Sequence, residues 1–436
     1  MVKDEPKKIG VGLVGFGTIG QGVAALLTDG TNPASAKTGV ELRLVRICDV
    51  DLARPRDVAV NQALLTSRLE DILEDKSISV GVELIGGTDA ARMVVKKLLK
   101  AGKHVVTANK ALLASYGAEL FELAGSLGRQ IRFEASCAGG IPLIGAIENG
   151  LVANKINGLK GIVNGTCNYV LTCMYQKQES FSSALAQAQK AGYAEADPSL
   201  DINGMDSAHK LAVLATLAFG TQVRLDDIYV EGIDKVDQTD LGFASELGYV
   251  MKLLAIGEAR AEGISLRVHP AFLPRGSLLA QVGGAFNAVS VYGHATGETL
   301  YYGMGAGRMP TASAVVADLV ALARSPDQQR SQSLSKWTGR KLPIMPIEDI
   351  ESRYYIRVTA LDIPGVMAKI SGVLGSKNIS LSAILQHESE PAKPVPVVIM
   401  THLAREGSVR QALEEIGQLE VVSEPPVCIR VAEENV

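Results

Sequence analysis

Residues 9–20 read IGVGLVGFGTIG, and the fold turns on how that stretch is understood. An apolar run of strand length ends in glycines and leads straight into TIGQGVAALL (18–27), where apolar residues recur at helical spacing. Gly15, Phe16, Gly17, Thr18, Ile19 and Gly20 therefore form G-x-G-x-x-G directly after a strand and at the opening of a helix. In that setting the glycines allow a tight turn and close approach to a pyrophosphate, and the helix amino terminus offers unpaired N–H groups to the anion. A glycine-rich turn without a ligand has the same bare pattern, so the weight rests on what surrounds it.

Working outward, strand-like runs at Glu41–Cys48, Val80–Leu84, His104–Thr107 and Ile131–Ala135 alternate with helical stretches at Leu64–Leu73, Ala90–Leu99 and Ala118–Leu127. That alternation predicts βαβ units, a parallel sheet and an α/β, Rossmann-type domain over residues 1–138. The acidic residue expected at the end of the second strand is Asp49, delayed by the polar insertion TDGTNPASAKTG (28–39). Asp49 suits the ribose diol of NAD, whereas Arg54 and Arg56 suit the 2′-phosphate of NADP or an ordinary solvated loop. The choice between the two cofactors stays open.

Residues 139–325 mix helices such as Met205–Phe219 with strands such as Leu159–Val163, which predicts an α+β domain whose last helix, about 306–325, returns to the nucleotide domain. A polar, proline-bearing stretch at 326–352 predicts a linker. Beyond it, YYIRVTA, DIPGVMAKISGVLGS, NISLSAILQH, VPVVIMTHL, VRQALEEIG and VVSEPPVCIRV give the order βαββαβ, a ferredoxin-like unit over 353–436.

Of the 436 residues 47% are hydrophobic and 21% charged, which excludes a disordered or fibrous chain. Lys and Arg number 43 against 47 Asp and Glu, with no long basic run to follow a phosphate backbone, so nucleic acid is not an expected partner. Cys48, Cys137, Cys167, Cys173 and Cys428 are odd in number and lack metal-ligand spacing, which reads as free thiols in a reducing compartment. No secretory h-region and no apolar run of roughly 18 residues is present, and the expected location is the cytoplasm.

Glu195 in GYAEADP, Asp201, Asp206 and Lys210 crowd one region, with Asp206 and Lys210 four apart on a helix and so on one face. Lys210 either snorkels and pairs with Asp206, or serves as a partly desolvated proton donor while the carboxylates grip a cationic substrate. Lys110, in TANK after the strand HVVT, falls at the carboxyl end of a parallel strand, where open α/β sheets bind ligands. Cys137, in EASCAGGIP, is either an inert buried thiol or a nucleophile toward an aldehyde, with no histidine partner evident.

The motifs GFGTIG (15–20), GGTDAA (86–91), TANKALLA (107–114), EASCAGGIP (134–142), GTCNY (165–169), GYAEADPSLDINGMDSAHK (192–210) and GMGAGRMPTASAV (303–315) stand in the order seen in bacterial homoserine dehydrogenases. Over essentially its whole length the chain resembles that family, including an appended ACT domain through LDIPGVMAKISGVLGSKNISL (361–381). The resemblance implies NAD(P)H-dependent reduction of L-aspartate 4-semialdehyde to L-homoserine, a step toward threonine, methionine and isoleucine. It implies Lys210 as the acid, Glu195, Asp206 and Asp201 as substrate ligands, and Lys110 beside both nicotinamide and substrate. Thr88 and Gly305 are implied to touch the cofactor. A structural sodium ion held by Glu134, Cys137, Gly139 and Ile141, largely through carbonyl oxygens, is implied as well, although the family usually has Val where Cys137 stands.

For the last domain the resemblance implies a homo-oligomer, dimer or tetramer, with an amino-acid effector, threonine, at Asp362, Gly365 and Asn378. A purely structural dimerisation module is the alternative there. For the whole chain the alternatives are a non-catalytic amino-acid sensor on a nucleotide fold and a semialdehyde dehydrogenase acting through Cys137. With the nucleotide domain beginning at residue 9, a fused aspartokinase is not expected.

Overall fold

The first sheet is built on β1 (Lys7–Val14), whose successive Leu13 and Val14 side chains point to opposite faces and are both buried. A strand apolar on both faces needs cover on both, which a parallel sheet flanked by helices supplies. The sheet also contains β2 (Val40–Cys48), β3 (Leu65–Thr66), β4 (Ile78–Glu83), β5 (His104–Thr107) and β6 (Ile131–Arg132). Their order is β3-β2-β1-β4-β5-β6, all parallel. The winding reverses between β1 and β4, which opens a crevice at the carboxyl ends of those two strands. Helices Thr18–Thr28 and Arg308–Arg324 share a core with the sheet through Val23, Ala24, Leu27, Ala312, Val315 and Leu319.

The computed structural model describes residues 7–29, 33–324, 341–387 and 394–432. Residues 30–32 of the polar insertion, 326–340 of the expected linker and residues 388–393 lie outside the described residues. The described residues form two compact units. One draws on Met1–Leu159, Ala208–Asp227 and Phe286–Leu342, the other on Lys160–Ser207, Ile228–Ala285 and Pro343–Val436.

Three expected elements take a different course in the first unit. The helix expected at Leu64–Leu73 is helical only over Glu70–Leu73, because Leu65 and Thr66 pair with Ile47 and Cys48 as an edge strand. The helix expected from Ala118 begins at Lys110, where the Asn109 side chain accepts the Leu112 N–H at 3.0 Å and caps it. The strand expected over Ile131–Ala135 stops at Arg132, since Glu134 turns inward and its carboxylate accepts the N–H groups of Ile144 and Gly145 at 2.8 and 2.7 Å.

Beyond the first sheet come β7 (Ile156–Ile162), β8 (Tyr229–Val230), β9 (Tyr249–Ala259), β10 (Ile264–Pro274), β11 (Phe286–Gly293) and β12 (Gly297–Met304). The carboxyl-terminal segment adds β13 (Glu351–Leu361), β14 (Leu381–Gln386), β15 (Pro394–Thr401), β16 (Ala404–Arg405) and β17 (Val427–Val431), with helices Val366–Ser376 and Glu406–Gly417. Strands β17-β13-β15-β14 pair antiparallel in that order, and the two helices cover one face over Tyr354, Ile356, Val358, Ile370, Val409 and Ile416. This is the βαββαβ unit that the sequence predicts.

Its other face is covered along β13, where Tyr355 is fully buried. Tyr355 and Arg357 reach Asp240 of helix Gln238–Glu246 at 2.8 and 2.6 Å, and β17 continues the sheet by pairing in parallel with β10. Arg430 on β17 bonds Glu406 and Glu231, each at 2.9 Å. Among the described residues no helix is long and apolar enough to cross a membrane.

Candidate active site

At the end of β1 the chain must turn hard. Gly15 has φ +100°, and a Cβ on it would stand 2.6 Å from the Leu84 carbonyl oxygen. Glycine is required there by both torsion and space. Gly17 caps helix Thr18–Thr28 without a side chain, and a Cβ there would meet nothing within 4 Å. Gly86 and Gly87, after β4, face equally open space at positive φ. Two open glycine turns at the carboxyl ends of β1 and β4, one leading into a helix amino terminus, form the cradle a pyrophosphate needs.

Asp49 follows β2, as the ribose-binding reading requires. Its carboxylate accepts the N–H of Phe16 at 2.6 Å and lies 3.5 Å from the Arg56 guanidinium. Arg56 also stacks on the Phe16 ring, 4.9 Å from its centroid, while Arg54 is exposed. Of the two arginines weighed for a 2′-phosphate, Arg56 is the one built into the turn.

Glu83 ends β4 fully buried and was not singled out by sequence reasoning. Its carboxylate accepts the Thr107 hydroxyl at 2.6 Å and the Ile85 N–H at 2.9 Å. Burial pushes its pKa up, opposed by those bonds. Thr107 in turn accepts the Asn109 N–H, and the Asn109 amide donates to the Gly87 carbonyl at 2.7 Å. This chain of bonds ties the Gly86–Gly87 turn to the first residue of the next helix, Lys110. Thr88 precedes helix Asp89–Lys100 on the other side of the same turn.

The acidic cluster is organised by Asn164, a second residue that sequence reasoning did not pick out. Its side-chain oxygen caps helix Gly165–Lys177 through the Cys167 N–H at 2.8 Å. Its amide nitrogen donates to Asp201 at 2.7 Å and to Asp206 at 2.8 Å. An Asn immediately before GTCNY was the available signal, because Asn is a favoured cap. Asp206 lies in the first turn of helix Met205–Phe219, and Lys210 follows one turn later, half-buried like Asp206. Glu195 is exposed in the preceding loop.

The turn at 134–141 has glycine at 139 and 140 and one acidic side chain, Glu134. Ala138 and Gly139 have positive φ, and Gly139 packs so that a Cβ would lie 2.6 Å from the Gly305 carbonyl oxygen. Gly305 itself abuts Asn287, whose side-chain oxygen is buried without a hydrogen-bond partner among the described residues. Burial pushes the carboxyl groups of Glu134 and Asp318 up, Asp318 further because of the Glu134 charge. Among the described residues no three His, Cys, Asp or Glu are grouped to hold a metal. Cys137 is fully buried with its thiol 3.8 Å from the Lys210 carbonyl oxygen. A thiol donating to a carbonyl is poorly placed as a nucleophile.

In the last domain Gly365 has φ +91° ahead of helix Val366–Ser376, and Asp362 accepts the Gln386 side chain at 3.1 Å. Asn378 does not begin a strand as expected. It sits in the turn before β14 at φ +60°, a conformation Asn tolerates better than most residues.

A doubly wound sheet with glycine turns at its switch point, followed by a lysine-and-carboxylate helix, defines a nicotinamide-dependent oxidoreductase. Family models match in sequence: a homoserine dehydrogenase NAD-binding domain over residues 15–134, a homoserine dehydrogenase domain over 142–320 and an ACT domain over 354–421. The chain is 43% identical to the homoserine dehydrogenase of Pseudomonas aeruginosa over 98% of its own length and all of that protein, and 41% identical to that of Neisseria gonorrhoeae over 98% and 99%. It superposes on a homoserine dehydrogenase from Thiobacillus denitrificans with TM-score 0.90 at 42% identity, over 98% of this chain and 99% of that one. A hyperthermophilic archaeal homoserine dehydrogenase in complex with NADPH matches at 26% identity and TM-score 0.61, over 74% and 100%. The chain belongs to the homoserine dehydrogenase family.

Proposed function

We propose that the chain interconverts L-aspartate 4-semialdehyde and L-homoserine with Lys210 as the group that protonates the carbonyl oxygen, or deprotonates the hydroxyl in reverse. The observation that carries this reading is the Asn164 amide held by both Asp201 and Asp206. Two carboxylates gathered on one donor make a seat for a cation, and an amino aldehyde offers its ammonium. Glu195 lies on the same stretch of chain as a further ligand for that end of the substrate. Lys210, one helical turn beyond Asp206, brings positive charge and a proton to a developing alkoxide. Lys110, at the carboxyl end of β5, is assigned to the nicotinamide and to the same proton traffic.

A bound nicotinamide supplies the hydride. Gly15 to Gly20, Thr88 and Gly305 are assigned to it, with Asp49 for the ribose. The burial of Arg56 against Phe16 and Asp49 supports it, over Arg54, as the 2′-phosphate ligand, and the NADPH bound to the archaeal relative favours the phosphorylated cofactor. Glu134, Cys137, Gly139 and Ile141 would hold a sodium ion with a structural role. Threonine is the effector proposed for the Asp362–Gly365 turn and Asn378, in a homo-oligomer paired through this domain. Five cysteines without a disulfide support a cytoplasmic setting.

The test is homoserine-dependent reduction of NAD and NADP, followed by the absorbance of the reduced nicotinamide, with and without threonine. Turnover faster with NADP and falling with threonine is expected. Absence of turnover with either cofactor, from folded protein, overturns the reading. Turnover indifferent to threonine removes threonine as the effector.

A further inference from the structure

Among the described residues of the second unit several buried cations are ion-paired. Arg267 meets Glu258 at 3.1 Å, Arg357 meets Asp240 and Arg430 meets Glu406 and Glu231. Lys252 on β9 is 3% exposed, and its nitrogen donates to two neutral acceptors, the Asn168 side-chain oxygen at 3.0 Å and the Val282 carbonyl at 2.5 Å. Among the described residues no carboxylate lies within ion-pair distance of it. Burying an ammonium without a counter-charge is costly, and burial lowers its pKa to about 8.

Lys252 also lines a cavity of about 220 Å³ bounded by helix Gly165–Lys177, β9 and residues 275–283. At roughly 30 Å³ per water that is room for about seven heavy atoms. Leu171 and Val250 give it apolar wall, Tyr175 and Gln281 polar wall, and the exposed Arg275 stands at its rim. No Asp or Glu lines it.

We propose that this cavity is a binding site for a small monocarboxylate without an ammonium group, a hydroxy acid of about seven heavy atoms, seated with its carboxylate on Lys252. The desolvation of the lysine is already incurred on folding, so the anion gains a charge-assisted bond at the cost of its own desolvation alone. An amino-acid zwitterion fits poorly, because its ammonium would face Lys252 and Arg275 with no acid to receive it.

The experiment is calorimetric titration of the full chain with 2-hydroxybutyrate, with L-threonine and inorganic phosphate as comparators. Binding of 2-hydroxybutyrate is expected that survives Lys210→Ala, falls by about tenfold or more in Lys252→Met and falls about two- to fivefold in Arg275→Gln. Binding abolished by Lys210→Ala but intact in Lys252→Met places the ligand in the active site and overturns the proposal. Threonine or phosphate binding as tightly as 2-hydroxybutyrate, in a Lys252-dependent way, overturns the ligand class. Should Lys252→Met fail to fold, Arg275→Gln at the exposed rim decides, and unchanged affinity in that variant overturns the proposal.

Discussion

Replacing Asn164 separates two jobs that one side chain performs. Its oxygen caps a helix and its amide nitrogen gathers Asp201 and Asp206, at 2.7 and 2.8 Å, with the residue only 4% exposed. A hydrogen bond to a charged group is worth about 1.5–3 kcal/mol, and a lost cap about 1 kcal/mol. Serine can keep the cap but has no second donor to span both carboxylates. Water can reach the half-buried aspartates and restore part of the loss, so about 1.5 kcal/mol should remain at the site. That corresponds to roughly a tenfold rise in the KM for homoserine, at about 1.4 kcal/mol per tenfold. Asn164→Ser should therefore raise homoserine KM about tenfold and lower folding stability by about 1.5 kcal/mol, with cofactor KM close to wild type. Asn164→Ala should add a stability loss of about 1 kcal/mol. Initial rates at saturating cofactor and thermal unfolding of both variants measure this. A homoserine KM in Asn164→Ser within twofold of wild type would refute the view that the amide sets the carboxylates for substrate.

The remaining predictions concern proton transfer, the nucleotide turn and acid stability. Lys210→Ala should lower kcat by about 10²-fold or more, the scale of lost general acid catalysis, with cofactor KM nearly unchanged; wild-type turnover would remove Lys210 from the mechanism. Gly15→Ala and Gly17→Ala should diverge. The first places a Cβ 2.6 Å from the Leu84 carbonyl at positive φ and should impair folding, whereas the second meets open space and should raise cofactor KM in a stably folded protein. Equal thermal stability of the two would contradict this account. Glu258 is buried, which by itself raises its pKa, but the Arg267 charge outweighs burial and holds it at about 2. A carboxylate with a depressed folded pKa contributes stability above the unfolded value near 4.5 and loses it as pH falls toward 2, about 3 kcal/mol in all. Glu258→Gln should flatten the fall in unfolding stability between pH 5 and 2.5, and an unchanged slope would count against the ion pair as its source.

Much of the active-site half was legible because its signals are local. Glycines at 15, 17 and 20 between a strand and a helix admit few backbones, and burial of Leu13 and Val14 on opposite faces of β1 fits a parallel sheet. Lys210 and Asp206 share a helix face by spacing alone. Glu83 was not legible, since an acid ending an apolar strand declares no partner until β5 brings Thr107 beside it. The helix expected at 64–73 failed for a similar reason, because the pairing of Leu65 and Thr66 with β2 is a property of the sheet.

Chain-local patterning thus signalled the nucleotide turn, the βαββαβ order and the lysine-carboxylate helix, each through residues a few positions apart. Tertiary structure alone decided which polar groups are satisfied and which are not. Asn164 meets Asp201 and Asp206 from 37 and 42 residues away. On the second face of the carboxyl-terminal sheet Tyr355 meets Asp240 of a helix more than a hundred residues earlier. Lys252 is left in a cavity with neutral partners only because β9 carries it beneath Asn168 and Val282. Burial makes such pairings matter, since a charge out of water must find its partner through space, and sequence distance says nothing of that.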